Sequence, residues 1–214
     1  QVIDDNSSDE NLKKLKDRIN THGIDCEIIN HDKSEHKEKI AAENNQETFG
    51  NLSSLLKCFE VAKKDQSDLI YFVEDDYLHY EHSLVDMLNT YERVSSQHKD
   101  EIIVCPSDYP FNYMNNEKTN ILIGSRQHWR TITKMLCTFM ISKKMFQKHI
   151  ENFEKTCEKR HEPFEKYLNK ILESEIGISP IKSLAIHMTN VNSSYGLSPF
   201  IDIKKLWEEN KIGQ

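Results

Sequence analysis

Apolar and polar positions alternate along this chain with two periods, and the switches between them mark its elements. Val2-Ile3 ahead of Asp4-Asp5 read as the end of a strand. Leu12, Leu15 and Ile19 then recur at helical spacing behind Ser8 and Asp9, either of which can cap a helix, and Thr21-His22-Gly23 ends it. Cys26-Glu27-Ile28-Ile29 reads as a short strand. Residues 31–48 are rich in Lys, Glu, Asn and His and read as a solvated loop or loose helix. Gly50 opens a helix carrying Leu52, Leu55, Leu56, Phe59, Val61 and Ala62, which leads into Leu69-Ile70-Tyr71-Phe72-Val73. That unbroken apolar run is the signature of a strand covered on both faces of a sheet.

A further helix is predicted over 83–95 and a strand over 102–105, followed by a polar, Asn-rich connection at 112–120. Residues 121–123 and 138–141 read as strands able to pair antiparallel around 126–130. Helices are expected over 143–156 and over 164–172, the second with Pro163 in its first turn. Residues 183–186 form a last strand running into His187. The polar segment 190–196 follows, and a tail at 199–210 carries Phe200, Ile201, Ile203, Leu206 and Trp207. Strand and helix alternate through the first part, so the expected class is α/β with a mostly parallel central sheet flanked by helices.

The chain's 214 residues suffice for one domain with a sizeable core, here divided at 110/111 into a first and a second half. Twenty-eight basic against 35 acidic side chains give a net charge of −7, which argues against a surface that wraps nucleic acid but leaves room for a local basic pocket. No apolar run approaches membrane-spanning length and no signal-peptide pattern is present, so a cytoplasmic protein, with peripheral membrane attachment left open, is expected. The five cysteines are scattered without a C-x-x-C pair and read as reduced thiols. Gln1-Val2-Ile3 resembles a strand without a lead-in, and a further strand is expected upstream of it.

Two acidic clusters carry the chemistry: Asp4-Asp5 after the first strand and Glu74-Asp75-Asp76 after the long apolar run. Ligands of open α/β sheets bind at the carboxyl ends of strands, where these acids lie. The plainer alternative is that Asp75 or Asp76 caps the following helix. A phosphorelay receiver domain also gathers acids at strand ends, but the interval between the clusters and the long second half do not suit one.

Taken together, Val2-Ile3-Asp4-Asp5-Asn6-Ser7-Ser8-Asp9 and Phe72-Val73-Glu74-Asp75-Asp76 resemble two motifs of family 2 glycosyltransferases with the GT-A (nucleotide-diphospho-sugar transferase) fold. The first resembles the second-strand motif whose Asp accepts a hydrogen bond from the nucleotide base. The second resembles the D-x-D element. The 50–62 helix and the 180–187 strand resemble neighbouring parts of that fold, so the resemblance covers most of the chain.

It implies a glycosyltransferase that moves a sugar from a nucleotide-sugar donor, a UDP-sugar first of all, to a glycan, lipid-linked or protein acceptor, with inversion. It implies Mn2+ or Mg2+ held by Asp76 and His187, with Asp75 on the ribose or a metal-bound water and Glu74 as the outer acid, on the same side as Asp76 if the backbone stays extended. A divalent ion suits this reaction because it stabilises the charge growing on the departing pyrophosphate. The acceptor's proton needs a base. The resemblance puts an acid at a helix start in that role, and Glu162, then Glu165, are the candidates, although first-turn acids also serve the helix dipole.

Trp129 and Arg130, between two predicted strands, are placed to meet an acceptor by ring stacking and by phosphate pairing, and Asp108 to line the same edge. Their ordinary alternatives are core packing for Trp129 and a turn role for Asp108 beside Pro106 and Pro110. His31, His36, His79 and His82 lack the second ligand pair of a zinc framework and read as surface. A nucleotidyltransferase, or a non-catalytic binding module of the same fold, would share the acidic edge.

Overall fold

The computed structural model describes residues 1–40, 43–114, 116–189, 191–194, 196 and 201–211. In chain order its elements are β1 (Val2–Asp4), α1 (Asp9–Thr21), β2 (Ile28–Asn30), α2 (Gln46–Lys64), β3 (Leu69–Phe72), β4 (Tyr77–His79), α3 (Ser83–His98), β5 (Ile102–Val104), β6 (Ile121–Ile123) and β7 (His128–Ile132). There follow β8 (Phe139–Ser142), α4 (Lys143–Lys148), α5 (Ile150–Thr156), α6 (Lys166–Ile171), β9 (Ile176–Pro180), β10 (Ala185–His187) and α7 (Ile203–Asn210). They group into two compact units, Gln1–Asp65 with Ile150–Lys166, and Gln66–His149 with Tyr167–Gln214. Asn190, Tyr195, Pro199 and Phe200, named in the loop and tail expectations, lie outside the described residues.

In the first unit β1 and β2 pair in parallel, Val2 opposite Ile28 and Asp4 opposite Asn30, with α1 as the crossover between them. Ser8 caps α1 by accepting from the Asn11 N–H at 3.3 Å. Asn45 caps α2 in the same way through Thr48, at 3.0 Å. The buried stripe of α2 is Leu52, Ser53, Leu56, Phe59 and Ala62, and the Phe59 ring meets Phe153 of α5 edge-on at 5.1 Å. The segment expected to be solvated is mostly exposed, but Lys33–His36 forms a short 3-10 helix, and His31, His36 and Ile40 are buried. His31 Nε2 and both ring nitrogens of His36 meet Ser53 and Glu60 of α2, which composition could not reveal.

The second unit is a mixed sheet in the order β3-β8-β5-β9-β7-β6, with α3 against it. Only β5–β9 is parallel; β3–β8, β5–β8, β7–β9 and β6–β7 are antiparallel. The protein is therefore mixed α/β, and the mostly parallel sheet expected from strand–helix alternation is confined to two pairs. Later connections are too short for parallel crossovers: residues 124–127 join β6 to β7 as a hairpin. A separate antiparallel pair, β4 with β10, aligns Tyr77 with His187 and His79 with Ala185. Met87 and Val94 of α3 pack on Ile102, Val104, Trp129, Met140, Ile178 and Leu184 as the core.

Several helices differ from expectation, among them α2, which begins at Gln46, four residues before Gly50. The predicted helix over 143–156 breaks at His149, whose N–H is shared between the carbonyls of Met145 and Phe146 at 3.2 and 3.3 Å, and α5 starts afresh at Ile150. The helix expected from residue 164 begins at Lys166, which leaves Pro163 outside it. Just before β9, the buried Glu175 carboxylate receives Lys148 at 2.7 Å and His149 at 2.8 Å and so pins the end of α4. Burial alone would raise its pKa, but the hydrogen bonds from Lys148 and His149 outweigh that and hold it below the usual value.

Because the folded carboxyl is the stronger acid, Glu175 stabilises the fold above the ordinary carboxylate range, and that contribution disappears as pH falls through its lowered pKa. Glu175→Gln is thus expected to lower the urea midpoint clearly at pH 7 and hardly at pH 3; equal losses at both would contradict the pairing. Gly124 tests the core: a Cβ there would lie 2.2 Å from the Trp129 indole and 2.9 Å from Thr90 Oγ1. Gly124→Ala is expected to cost about 1–3 kcal/mol by overpacking, measured by denaturant unfolding, and an unchanged midpoint would mean the indole is not wedged there.

Candidate functional site

The acid triplet splits at the end of β3. The Glu74 N–H donates to Thr138 Oγ1 at 3.0 Å, and that hydroxyl donates to Glu74 Oε2 at 3.2 Å. A turn closed by the Tyr77 N–H on the Glu74 carbonyl at 3.3 Å then reverses the chain into β4. The backbone is therefore not extended across 74–76, and the expected same-side alternation of Glu74 and Asp76 does not hold. Asp75 is exposed.

Asp76, just before β4, is carried to the end of β10 by the antiparallel ladder. Its Oδ2 lies 2.8 Å from His187 Nε2, and its carbonyl accepts the Met188 N–H at 2.8 Å. The His187 ring is stacked on Tyr77, with centroids 4.7 Å apart and planes 11° from parallel. The Tyr77 hydroxyl is in turn 2.5 Å from that of Tyr109. Burial would push the Asp76 carboxyl up, but hydrogen bonds from His187 and Thr189 outweigh it and hold the pKa below the usual value, so this acid is ionised at neutral pH.

The 2.8 Å contact is a hydrogen bond from His187 to Asp76; a carboxylate beside an imidazole is a donor set that a divalent ion could use only in place of that bond. Among the described residues no three His, Cys, Asp or Glu side chains gather as a metal cage. Asp76 and His187 would thus be the protein's share, leaving the remaining positions to water and phosphate oxygens, as magnesium commonly requires.

In the first unit, Asp4 and Asp5 have different tasks. Asp4 is buried and shapes the turn: its Oδ1 accepts the Ser7 N–H at 3.3 Å and its carbonyl accepts the His31 N–H at 2.9 Å. Asn6 takes the left-handed conformation (φ 64°) that Asn tolerates. Asp5 lines an open cleft of about 490 Å³ with Asn6, Asn30, His31, Asp32 and Lys33. Its Oδ2 pairs with Lys33 Nζ at 2.8 Å, while Oδ1 is buried with no partner among the described residues.

The remaining predicted residues are placed otherwise. Trp129 is fully buried in the core of the second unit and offers no face to a sugar. Arg130 is buried on Asp108: its guanidinium donates to one Asp108 oxygen, Tyr113 donates its hydroxyl to the other, and the guanidinium lies 3.9 Å over the Tyr113 ring. Burial pushes the Asp108 carboxyl up, and Tyr113 and Arg130 offset only part of that. Both residues are therefore committed to one another instead of to an acceptor. Glu162 is exposed, 3.6 Å from Arg160 Nε, and precedes α6 by four residues, while the half-buried Glu165 directly precedes that helix.

No protein-family model matches the chain, and no curated protein sequence matches it. Among the described residues no helix is long and apolar enough to cross a membrane. Sequence reasoning missed the network of His31, Ser53, His36 and Glu60. The available signal was a serine on the buried stripe of α2, a position that demands a polar partner.

Removing one partner of a buried ion pair strands the other, so Arg130→Ala is expected to cost about 3–5 kcal/mol of folding stability. An Arg130→Ala protein that unfolds like the parent in urea would return Arg130 to the acceptor-binding candidates.

Proposed function

We propose that this chain is a metal-dependent glycosyltransferase with a GT-A arrangement, moving a sugar from a nucleotide-sugar donor to a glycan, lipid-linked or protein acceptor with inversion. The observation that carries the reading is the approach of Asp76, the last acid of the strand-end triplet, to His187 at 2.8 Å. The open cleft of the first unit, lined by Asp5 and Lys33, is a separate polar surface that suits a nucleobase or other polar ring.

Each residue then has a stated task. Asp76, held ionised by its neighbours, and His187, held flat by Tyr77, would bind Mn2+ or Mg2+. When bound, that ion supplies Lewis-acid neutralisation of the diphosphate leaving group. In the first unit, Asp5 is the residue that the sequence resemblance assigns to the nucleotide base. Glu165, ahead of Glu162, is the candidate to take the proton from the attacking acceptor hydroxyl, which in a single displacement enters opposite the leaving group. Glu74, tied to Thr138, keeps the turn in shape and leaves Asp76 as the metal acid.

Mn2+ with a nucleoside diphosphate is expected to raise the melting temperature beyond the sum of the two separate effects, because a ligand that binds only the folded state stabilises it. No metal-linked rise with any of UDP, GDP, CDP or ADP would defeat the proposal. Against a panel of nucleotide sugars, Asp76→Ala and His187→Ala are each expected to abolish hydrolysis or transfer; full turnover by Asp76→Ala would remove it from the mechanism.

A further inference from the structure

Strand β6 ends the sheet of the second unit, with β7 on one side and no strand on the other. The hydrogen bonds of its hairpin show which way its backbone points. The Gly124 N–H donates to the Gln127 carbonyl and the Thr131 N–H to the Asn120 carbonyl, each at 3.0 Å. Antiparallel pairs alternate, so residues 120, 122 and 124 face β7, and the N–H and C=O of Ile121 and Ile123 point outward. The next pairing agrees: the carbonyl of His128, which lies opposite Ile123, accepts the Ile181 N–H from the β9 side at 3.0 Å. Among the described residues no backbone group bonds to the outward groups of Ile121 and Ile123.

The side chains of the same two residues are uncovered as well. Ile121 and Ile123 are 57 % and 61 % exposed, on the face opposite Leu122, which packs on the core. Free backbone groups beside two exposed isoleucines form the kind of edge that accepts another strand. The rim of this edge is basic. Lys118 before β6, Arg126 in the turn and Lys182, whose N–H donates to Gln127 Oε1 at 3.2 Å, are all exposed, and none forms an ion pair among the described residues. Residues 118–150 contain no Asp or Glu, in a chain whose net charge is −7. The last acid before β6, Glu117, is occupied at the open end of the hairpin by Thr133 and Lys134.

We propose that β6 is a docking edge for an extended segment of another protein. That segment would add a further strand through Ile121 and Ile123, lay apolar side chains on the isoleucine face and carry acidic residues at its ends. Charge decides against a second copy of this chain: two copies paired through β6 about Leu122 would oppose Lys118 with Arg126, and like charges across a strand pair destabilise it. A bilayer could bury the isoleucines but could not satisfy the outward N–H and C=O groups. Nothing in this surface depends on the nucleotide-sugar reading.

Fluorescence anisotropy of labelled synthetic peptides, titrated with the full chain, tests this. The probe alternates valine and threonine between glutamate ends; one control has lysine ends, and another carries a methyl group on every interior amide nitrogen. The glutamate-ended peptide is expected to bind saturably, at least about tenfold tighter than the lysine-ended one, and the methylated peptide not to bind. Bound peptide is also expected to slow amide hydrogen exchange at Ile121 and Ile123. Ile123→Pro removes one outward N–H and no bond of the hairpin, so it is expected to keep its circular dichroism spectrum and lose the peptide. Should that variant not fold, the double variant Lys118→Glu with Arg126→Glu decides, by turning the preference to lysine ends. Absence of saturable binding by the glutamate-ended peptide, equal affinity for the two kinds of end, or indifference to methylation would overturn the docking edge. So would slowing of exchange at these two amides by phosphatidylserine vesicles, or by raised protein concentration alone.

Discussion

The three-residue ladder between β4 and β10 is the constraint on which the candidate metal pair depends. Neither Asp76 nor His187 is positioned by its own sequence neighbours alone; each is fixed because Tyr77 lies opposite His187 in the antiparallel register. The ladder is too short to hold itself and is secured from outside. Ser107 and Ser183 both donate to the Ala185 carbonyl, at 2.9 and 2.8 Å, and Ser83 and the Tyr80 N–H donate to that of Leu184, at 2.5 and 3.0 Å. The Leu184 N–H is spent on Pro106. Since buried backbone groups must find partners, these bonds fix the entry to β10 at Leu184 and Ala185. A side-chain pair meant to hold an ion needs such support, because small displacements of the ligands forfeit its geometry.

Buried polarity recurs in both units with different consequences. Asp108 with Arg130 and Tyr113, and Glu175 with Lys148 and His149, answer charge with charge within the protein, although Arg130 Nε is left without a partner among the described residues. Such sets specify one arrangement of the core more than they add stability. The chain from Glu60 to His31 ends in a buried His31 Nδ1 that has no partner among the described residues.

Asp4-Asp5 and Glu74-Asp75-Asp76 show the same division within a few residues. In each cluster one acid serves the backbone: Asp4 caps its own turn and Glu74 ties itself to Thr138. In each a neighbour is left for other work, Asp5 towards the cleft and Asp76 towards His187. Consecutive acids at a strand end are thus not redundant ligands. Tight turns consume hydrogen-bond acceptors, and the first acid supplies them.

What the order of residues determined by itself was local. The cap at Ser8, the buried stripe of α2, and the existence of β3 with the acids beyond it follow from periodicity and from the short reach of side chain to backbone; β3 itself lies at the edge of the sheet with Val73 exposed, against the cover on both faces expected of it. His187 could be singled out as a strand-end histidine. Tertiary structure decided everything that needs a partner distant in the chain: the antiparallel pairings of β8, β7 and β6, the burial of Trp129, the commitment of Arg130 to Asp108, and the capture of His31 and His36 by Ser53. Their energies depend on which surfaces meet and on how completely water is excluded. A polar residue reads the same in a sequence whether it will face solvent or a buried hydroxyl, and only the assembled fold separates the two.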